Sequence, residues 1–365
     1  MHAATQTGAK AGRREWVGLA VLALPALLVA VDVFVLLLAL PRLAAELHAG
    51  TTQQLWIMDV YGFMVAGFLV TMGTLGDRIG RRKLLLIGAA CFGAASVVAA
   101  YSASAAMLIA ARAALGIAGA TLAPSTLALI SNMFRDARQR SLAIGVWLVC
   151  FIGGGALGPI VGGAMLEHFW WGSVFLLGVP AMAVLLVLGP KLLPEHRDTS
   201  AGRIDLTSVG MSLGAILPVI YGLKELAKSG LAGPVPVLTI AAGLAIGVAF
   251  VRRQKTLSDT GADPLLDLKL FSNRAFTTAL GSLLCCTLLM GATMVFVTQY
   301  LQLVAALSPL QAGLWMLPGM CCSIASFQLS PLAARRVKPA HLIGGGITLA
   351  VIGLIVITQA PAVNG

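Results

Sequence analysis

Of the 365 residues, 58% are hydrophobic and only 11% are charged, at a mean hydropathy of +0.92. A soluble domain is nearer a quarter charged, so water cannot be the solvent of most of this surface. The net charge of +11 would suggest nucleic acid in a soluble protein; here the basic residues gather in short segments between apolar runs, where they mark topology.

Those apolar runs are each about 18 residues or more, the length that crosses a bilayer core of roughly 30 Å as a helix. Helix is forced, because lipid offers free backbone groups no partner. Eleven spans are predicted, near 16–40, 55–75, 83–101, 107–131, 141–166, 169–190, 206–226, 235–252, 275–299, 311–331 and 341–359. The first run is too long for a signal-peptide core and leads directly into further spans. The six cysteines fall in apolar runs without a metal-ligand or CxxC spacing, so they read as small packing residues.

Orientation follows from Lys and Arg. With the N-terminus inside, the inner segments hold 21 of the 25 basic residues, from Lys10, Arg13 and Arg14 to Arg335, Arg336 and Lys338. The outer segments hold Arg42, Lys224 and Lys228, and Arg112 lies within a span. The chain is expected in the cytoplasmic (inner) membrane with a cytoplasmic N-terminus. Trp16, Trp56, Trp170 and Trp171 sit at span ends, as interfacial anchors do.

Three ionisable residues lie inside spans: Asp32 in the first, Asp59 in the second and Arg112 in the fourth. A charge at bilayer depth costs about 2.5–3.5 kcal/mol on insertion scales, so such groups are buried in protein or line an aqueous path. Two readings stay open. One is a structural ion pair, Asp32 with Arg112, that holds helices in register. The other is a titratable site on a transport path.

Between the second and third spans runs Gly73-Thr-Leu-Gly-Asp77-Arg78-Ile-Gly80-Arg81-Arg82-Lys83. Asp77 can pair with a nearby basic residue or helix N-terminus, and the glycines permit a tight turn. The fifth span carries Gly154-Gly155-Ala-Leu-Gly158-Pro159-Ile-Val-Gly162-Gly163, whose glycines offer a flat packing face while Pro159 can kink the helix. Arg112-Ala-Ala-Leu-Gly116 opens the fourth span.

The GxxxDRxGRRK loop resembles the signature of the major facilitator superfamily. The fifth-span pattern is similar to the GxxxGPxxGG of its antiporters, and Arg112 to Gly116 to their RxxxG element. Finer features are Asp32 to Pro41 (with Phe34 in place of the usual Thr), Leu55-Trp-Ile-Met-Asp59-Val-Tyr61, and Gln299-Tyr-Leu-Gln302 with Leu307-Ser-Pro309-Leu-Gln-Ala-Gly313. Together they resemble the fourteen-span drug:proton antiporters, and among these the quaternary-ammonium and cationic-biocide exporters.

The resemblance implies an all-α membrane fold in three parts: a six-span bundle over 1–190, two inserted linking spans over 191–272, and the first three spans of a second bundle over 273–365. It also implies three further spans, so the chain is expected to be a truncated form or a fragment. The implied activity is proton-coupled export of lipophilic cations. Asp32, Asp59 and Arg112 are the candidates for proton coupling and substrate binding, and Gly73, Asp77, Arg78, Gly80, Arg81 and Arg82 form the conformational loop. Gly154, Gly158, Pro159, Gly162 and Gly163 form the antiporter face, and Phe34, Tyr61, Trp147 and Phe151 are candidate pocket aromatics.

The partners so implied are a small lipophilic cation, protons and the bilayer. No GxxxxGK[ST] loop is present to bind ATP. No nucleophile–base or metal-ligand constellation falls in the spans, so an enzyme, a cofactor, a metal and nucleic acid are not expected. Two other functional readings stay open: a facilitator for a different metabolite, and a non-transporting remnant.

Overall fold

The computed structural model describes residues 11–195, 205–229, 233–260, 264–307, 309–333, 337 and 339–358. Lys10, Arg197, Arg203, Arg335, Arg336 and Lys338, and the expectation about the chain's end, lie outside the described residues, as do the side chains of Phe34, Pro159 and Lys228.

Every predicted span contains a helix. The first six spans are α1 (Arg13–Glu46), α2 (Thr51–Ile79), α3 (Arg81–Ala100), α4 (Ala105–Met133), α5 (Ala137–His168), and a sixth that divides into α6 (Ser173–Leu176) and α7 (Gly178–Leu192). Then come α8 (Leu206–Ser229), α9 (Val235–Asp259), α10 (Arg274–Gln299), α11 (Pro309–Ala333) and α12 (Pro339–Thr358). Among the described residues, nine spans are long and apolar enough to cross a membrane without a break. Bent α5 makes ten, its halves Ala137–Gly155 and Ile160–His168 meeting at 43°. Pro159 falls in the sequence at that break, and a proline supplies no backbone N–H to the helical ladder. In α11 the apolar stretch is the shorter Leu314–Ser326. The architecture is all-helical, close to the predicted span count.

Polar residues start the helices where the sequence leaves amides unpaired. Ser104 caps α4 by accepting from the Met107 amide, Asp136 caps α5 by accepting from Gln139, and Asn273 caps α10 by accepting from Ala275. Glu15 reaches back to the Gly12 amide at 2.7 Å ahead of α1.

The densest core lies among α1 to α7, where Leu22, Leu36, Ile57, Leu85, Leu115 and Leu129 are fully buried. α1 packs along α5, α2 along α4, and α3 against α4 and α7. α8 and α9 form a hairpin that meets α2 through α8, and α11 lies against α5. α10 and α12 leave apolar side chains outward, with Leu283, Phe296 and Leu349 among the exposed ones. Cys91, Cys285, Cys286, Cys321 and Cys322 are exposed on helix surfaces, and Cys150 is half-buried.

The end of the α8–α9 hairpin where α8 begins and α9 ends is closed by a polar clip. Asp205 accepts from Arg253 Nε and Ser208 Oγ, each at 2.7 Å. Gln254, buried, donates to Ser208 Oγ and accepts from the Leu265 amide, both at 2.7 Å. One glutamine thereby ties the hairpin to the segment leading into α10. Arg253 holds the Asp205 carboxyl down to about 2, with Ser208 and the Thr207 amide helping.

Candidate functional site: two ion pairs on opposite faces of the second span

α1 and α4 are joined by a buried ion pair. Arg112 Nη1 on α4 donates to Asp32 Oδ2 on α1 at 2.6 Å. Arg112 is 1% exposed, which makes it the most costly side chain in the core to leave unpaired. Two further contacts from α2 complete its surroundings. Its Nε donates to the Ile57 carbonyl at 3.2 Å, and its guanidinium lies 4.7 Å from the centre of the Tyr61 ring.

Small residues make this convergence possible. Arg112, Gly116 and Gly119 recur at helical spacing along one side of α4. A Cβ at Gly116 would stand 2.5 Å from the Tyr61 carbonyl oxygen, and one at Gly119 3.0 Å from the Tyr61 hydroxyl. The glycines therefore let α2 lie against α4 closely enough for Tyr61 to cover the guanidinium. α5 acts on α1 in the same way. A Cβ at Gly154 would collide with the Leu27 carbonyl, and one at Gly162 would meet Val35 Cγ1 at 2.8 Å. Leu27 and Val35 bracket Asp32, so the glycine face of α5 grips α1 over the segment that carries the carboxylate. Gly158 is buried on this stretch, whereas Gly163 has open space around its α-carbon.

Asp59 is separated from this pair by the helical period of α2. Ile57, Val60 and Tyr61 are buried toward the bundle. Trp56, Asp59 and Phe63 instead line a cleft with Tyr221, Lys224 and Glu225 of α8. There Asp59 pairs with Lys224, each side chain 33% exposed. Sequence alone grouped Asp32, Asp59 and Arg112 as one candidate set; the fold resolves them into two ion pairs.

The loop between α2 and α3 is a single residue, Gly80, with φ of 107°. Glycine adopts this left-handed conformation without strain, and a Cβ there would also strike Glu195. Asp77 pairs with Arg81 one turn ahead at 2.5 Å. Arg82 reaches the end of α7, donating to Glu195 at 3.2 Å and to the Pro190 and Leu193 carbonyls at 3.3 and 3.0 Å. A cation at the C-terminal carbonyls of a helix is favourably placed. Arg78 Nε is buried without a hydrogen-bond partner among the described residues, and Gly73 has open space beside it.

The candidate pocket aromatics divide. Tyr61 is buried over Arg112. Trp147 is buried and stacks on half-open Phe151 with centroids 6.0 Å apart. The Phe34 side chain lies outside the described residues. Sequence reasoning missed Lys224 as the partner of Asp59, Glu195 as the partner of Arg82, and Trp171, whose indole donates to Glu46 at 2.7 Å instead of facing lipid. The first had a signal: the predicted orientation puts Lys224 and Asp59 toward span ends on the same side.

Comparison with known proteins agrees with this architecture. Residues 22–364 match the model of the Major Facilitator Superfamily. The multidrug efflux pump LfrA of Mycolicibacterium smegmatis is 48% identical over 345 residues, covering 94% of this chain and 67% of that protein. The methyl viologen resistance protein SmvA of Salmonella typhimurium is 36% identical over 336 residues, 92% of this chain and 67% of its own length. A crystal structure of a peptide transporter, POT, in complex with sulfate superposes with a TM-score of 0.56 at 16% identity, over 95% of this chain and 75% of that one, a likeness of fold. The chain belongs to the Major Facilitator Superfamily, in the drug-efflux family that includes LfrA.

Proposed function

We propose that the chain exports lipophilic cationic drugs or biocides across the cytoplasmic membrane, with its N-terminus inside, in exchange for protons. The observation that carries this reading is the Asp32–Arg112 pair between two candidate membrane spans, Arg112 buried and Asp32 13% exposed, in a chain akin to efflux pumps. The pair is neutral as a unit, and in a medium of low dielectric either charge alone would be costly. A proton taken up by Asp32 removes its attraction for Arg112, and a cationic drug competes for the same carboxylate. Proton and drug thus exclude one another at one group, which is the requirement for exchange. The superfamily fold supplies alternating access by rocking its bundles about a midplane cavity. ATP, nucleic acid and catalysis have no part in this scheme.

The domain division proposed is a six-span bundle over 1–190, linking spans over 191–272 and part of a second bundle over 273–365. Monovalent cations are the preferred substrates, since α11 carries no Asp or Glu to hold a second positive centre. A second reading, divalent cations, is favoured by the methyl viologen resistance named for SmvA, because methyl viologen is a dication.

The test is Asp32→Asn in everted vesicles, with the chain extended to the length of its relatives. The expected result is inserted, folded protein that no longer moves ethidium when a pH gradient is imposed, with Asp32→Glu retaining part of the rate. Ordinary gradient-driven transport by Asp32→Asn would remove Asp32 from the mechanism and make Asp59 the coupling candidate.

A further inference from the structure

The Asp59 pair stands apart from the Asp32 site, and its surroundings have a composition of their own. Trp56 of α2 and Tyr221 of α8 stack across the cleft with centroids 6.2 Å apart and planes 25° from parallel. Phe63 closes a further wall, with its ring centre 5.9 Å from the Lys224 ammonium. Lys224 is at once paired with Asp59 and set against an aromatic face. Carboxylate plus aromatic rings is the chemistry that holds a weakly hydrated organic cation. The lining also includes Glu225.

We propose that this cleft between α2 and α8 is a second binding site, for a lipophilic monocation, in which Lys224 is a tethered internal cation that the ligand displaces. Partial exposure of Asp59 and Lys224, 33% each, leaves both within reach from outside the protein. A ligand bearing a quaternary centre and flat or apolar arms exchanges one positive charge for another at Asp59. Its arms then gain contact with the Trp56–Tyr221 stack, which a lysine ammonium does not fill. The amine stays covalently attached, so it returns when the ligand leaves, and the site is cleared without a proton. The inference does not depend on Asp32 or on proton coupling.

The experiment is equilibrium binding of radiolabelled tetraphenylphosphonium to the purified chain in lipid nanodiscs, in an Asp32→Asn background so that only the peripheral carboxylate is read. Adding Lys224→Met removes the internal competitor and is expected to tighten binding by about tenfold, the effect of a cation–aromatic and charge contact freed for the ligand. Lys224→Arg keeps the pair and should bind like its parent. Asp59→Asn should abolish the gain, and Tyr221→Leu, which keeps the ion pair, should weaken binding several-fold. Unchanged or weaker binding with Lys224→Met overturns the proposal; weaker binding is the result expected if the cleft holds an anionic lipid headgroup. Should Lys224→Met fail to insert, Tyr221→Leu decides, because unchanged binding there is equally fatal. Efflux is not measured, so failure of the transport reading would leave these binding results standing, and the reverse also holds.

Discussion

Gly116 on α4 sits against the backbone of α2, where an added Cβ would meet the Tyr61 carbonyl oxygen at 2.5 Å. A backbone atom cannot swing aside as a flexible side chain does, so even alanine must push two helices apart. That movement would lift Tyr61 off Arg112 and loosen the Asp32 pair. Gly154 has the same relation to the Leu27 carbonyl on α1.

These contacts set the cost of single methyl groups. Gly116→Ala and Gly154→Ala are each expected to destabilise by about 1–3 kcal/mol, as overpacking does. Gly163→Ala, with no described neighbour within 4 Å of its Cβ position, should stay within about 0.5 kcal/mol. Thermal unfolding in detergent measures all three. Equal midpoints would mean that the close approach of these helices is not what the glycines serve.

The Asp77–Arg81 and Arg82–Glu195 contacts tie the loop after α2 to α3 and to the end of α7, away from the Asp32 pair. Asp77→Asn should therefore slow transport while binding of tetraphenylphosphonium persists. Parallel loss of binding and transport would bring this loop into the drug site and refute a purely conformational role.

Orientation rests on 21 of the 25 basic residues falling on one side. Reporters fused after Lys83 or Arg138 should be cytoplasmic, and those after Ser104 or Gly230 external. An alkaline phosphatase fusion at Ser104 that stays inactive would invert the arrangement.

The Asp205 clip on the α8–α9 hairpin has a pH signature. Arg253 lowers the Asp205 carboxyl to about 2, below its value of about 3.9 in an unfolded chain. A depressed carboxylate stabilises the fold above the unfolded value, and that contribution is lost as pH falls through about 2. Arg253→Met should thus be slightly less stable than the parent at pH 7, by a small margin because solvent screens the pair. The difference should vanish in strong acid. Stability curves for the two proteins that keep a constant offset across this range would exclude Asp205 as the group.

Much of this protein was legible in its sequence because a bilayer leaves few choices. Long apolar runs must be helices, so every predicted span contains one. The cost of a buried charge singled out Asp32 and Arg112 before any contact was visible. Pro159 marked the bend of α5. Pairing across the fold was a different matter. Helical periodicity alone puts Tyr61 and Asp59 two residues apart on different faces of α2, but only packing decides that one face meets α4 and the other α8. Glu195 and Lys224 lie more than a hundred residues from Arg82 and Asp59, and nothing local to either end announces the partner. Trp171 looked like a membrane anchor by position and is instead turned inward to Glu46, because an indole N–H is worth more beside a carboxylate than in lipid. Composition and spacing determined which residues are too costly to lie in lipid; the arrangement of the helices decided which of them meet.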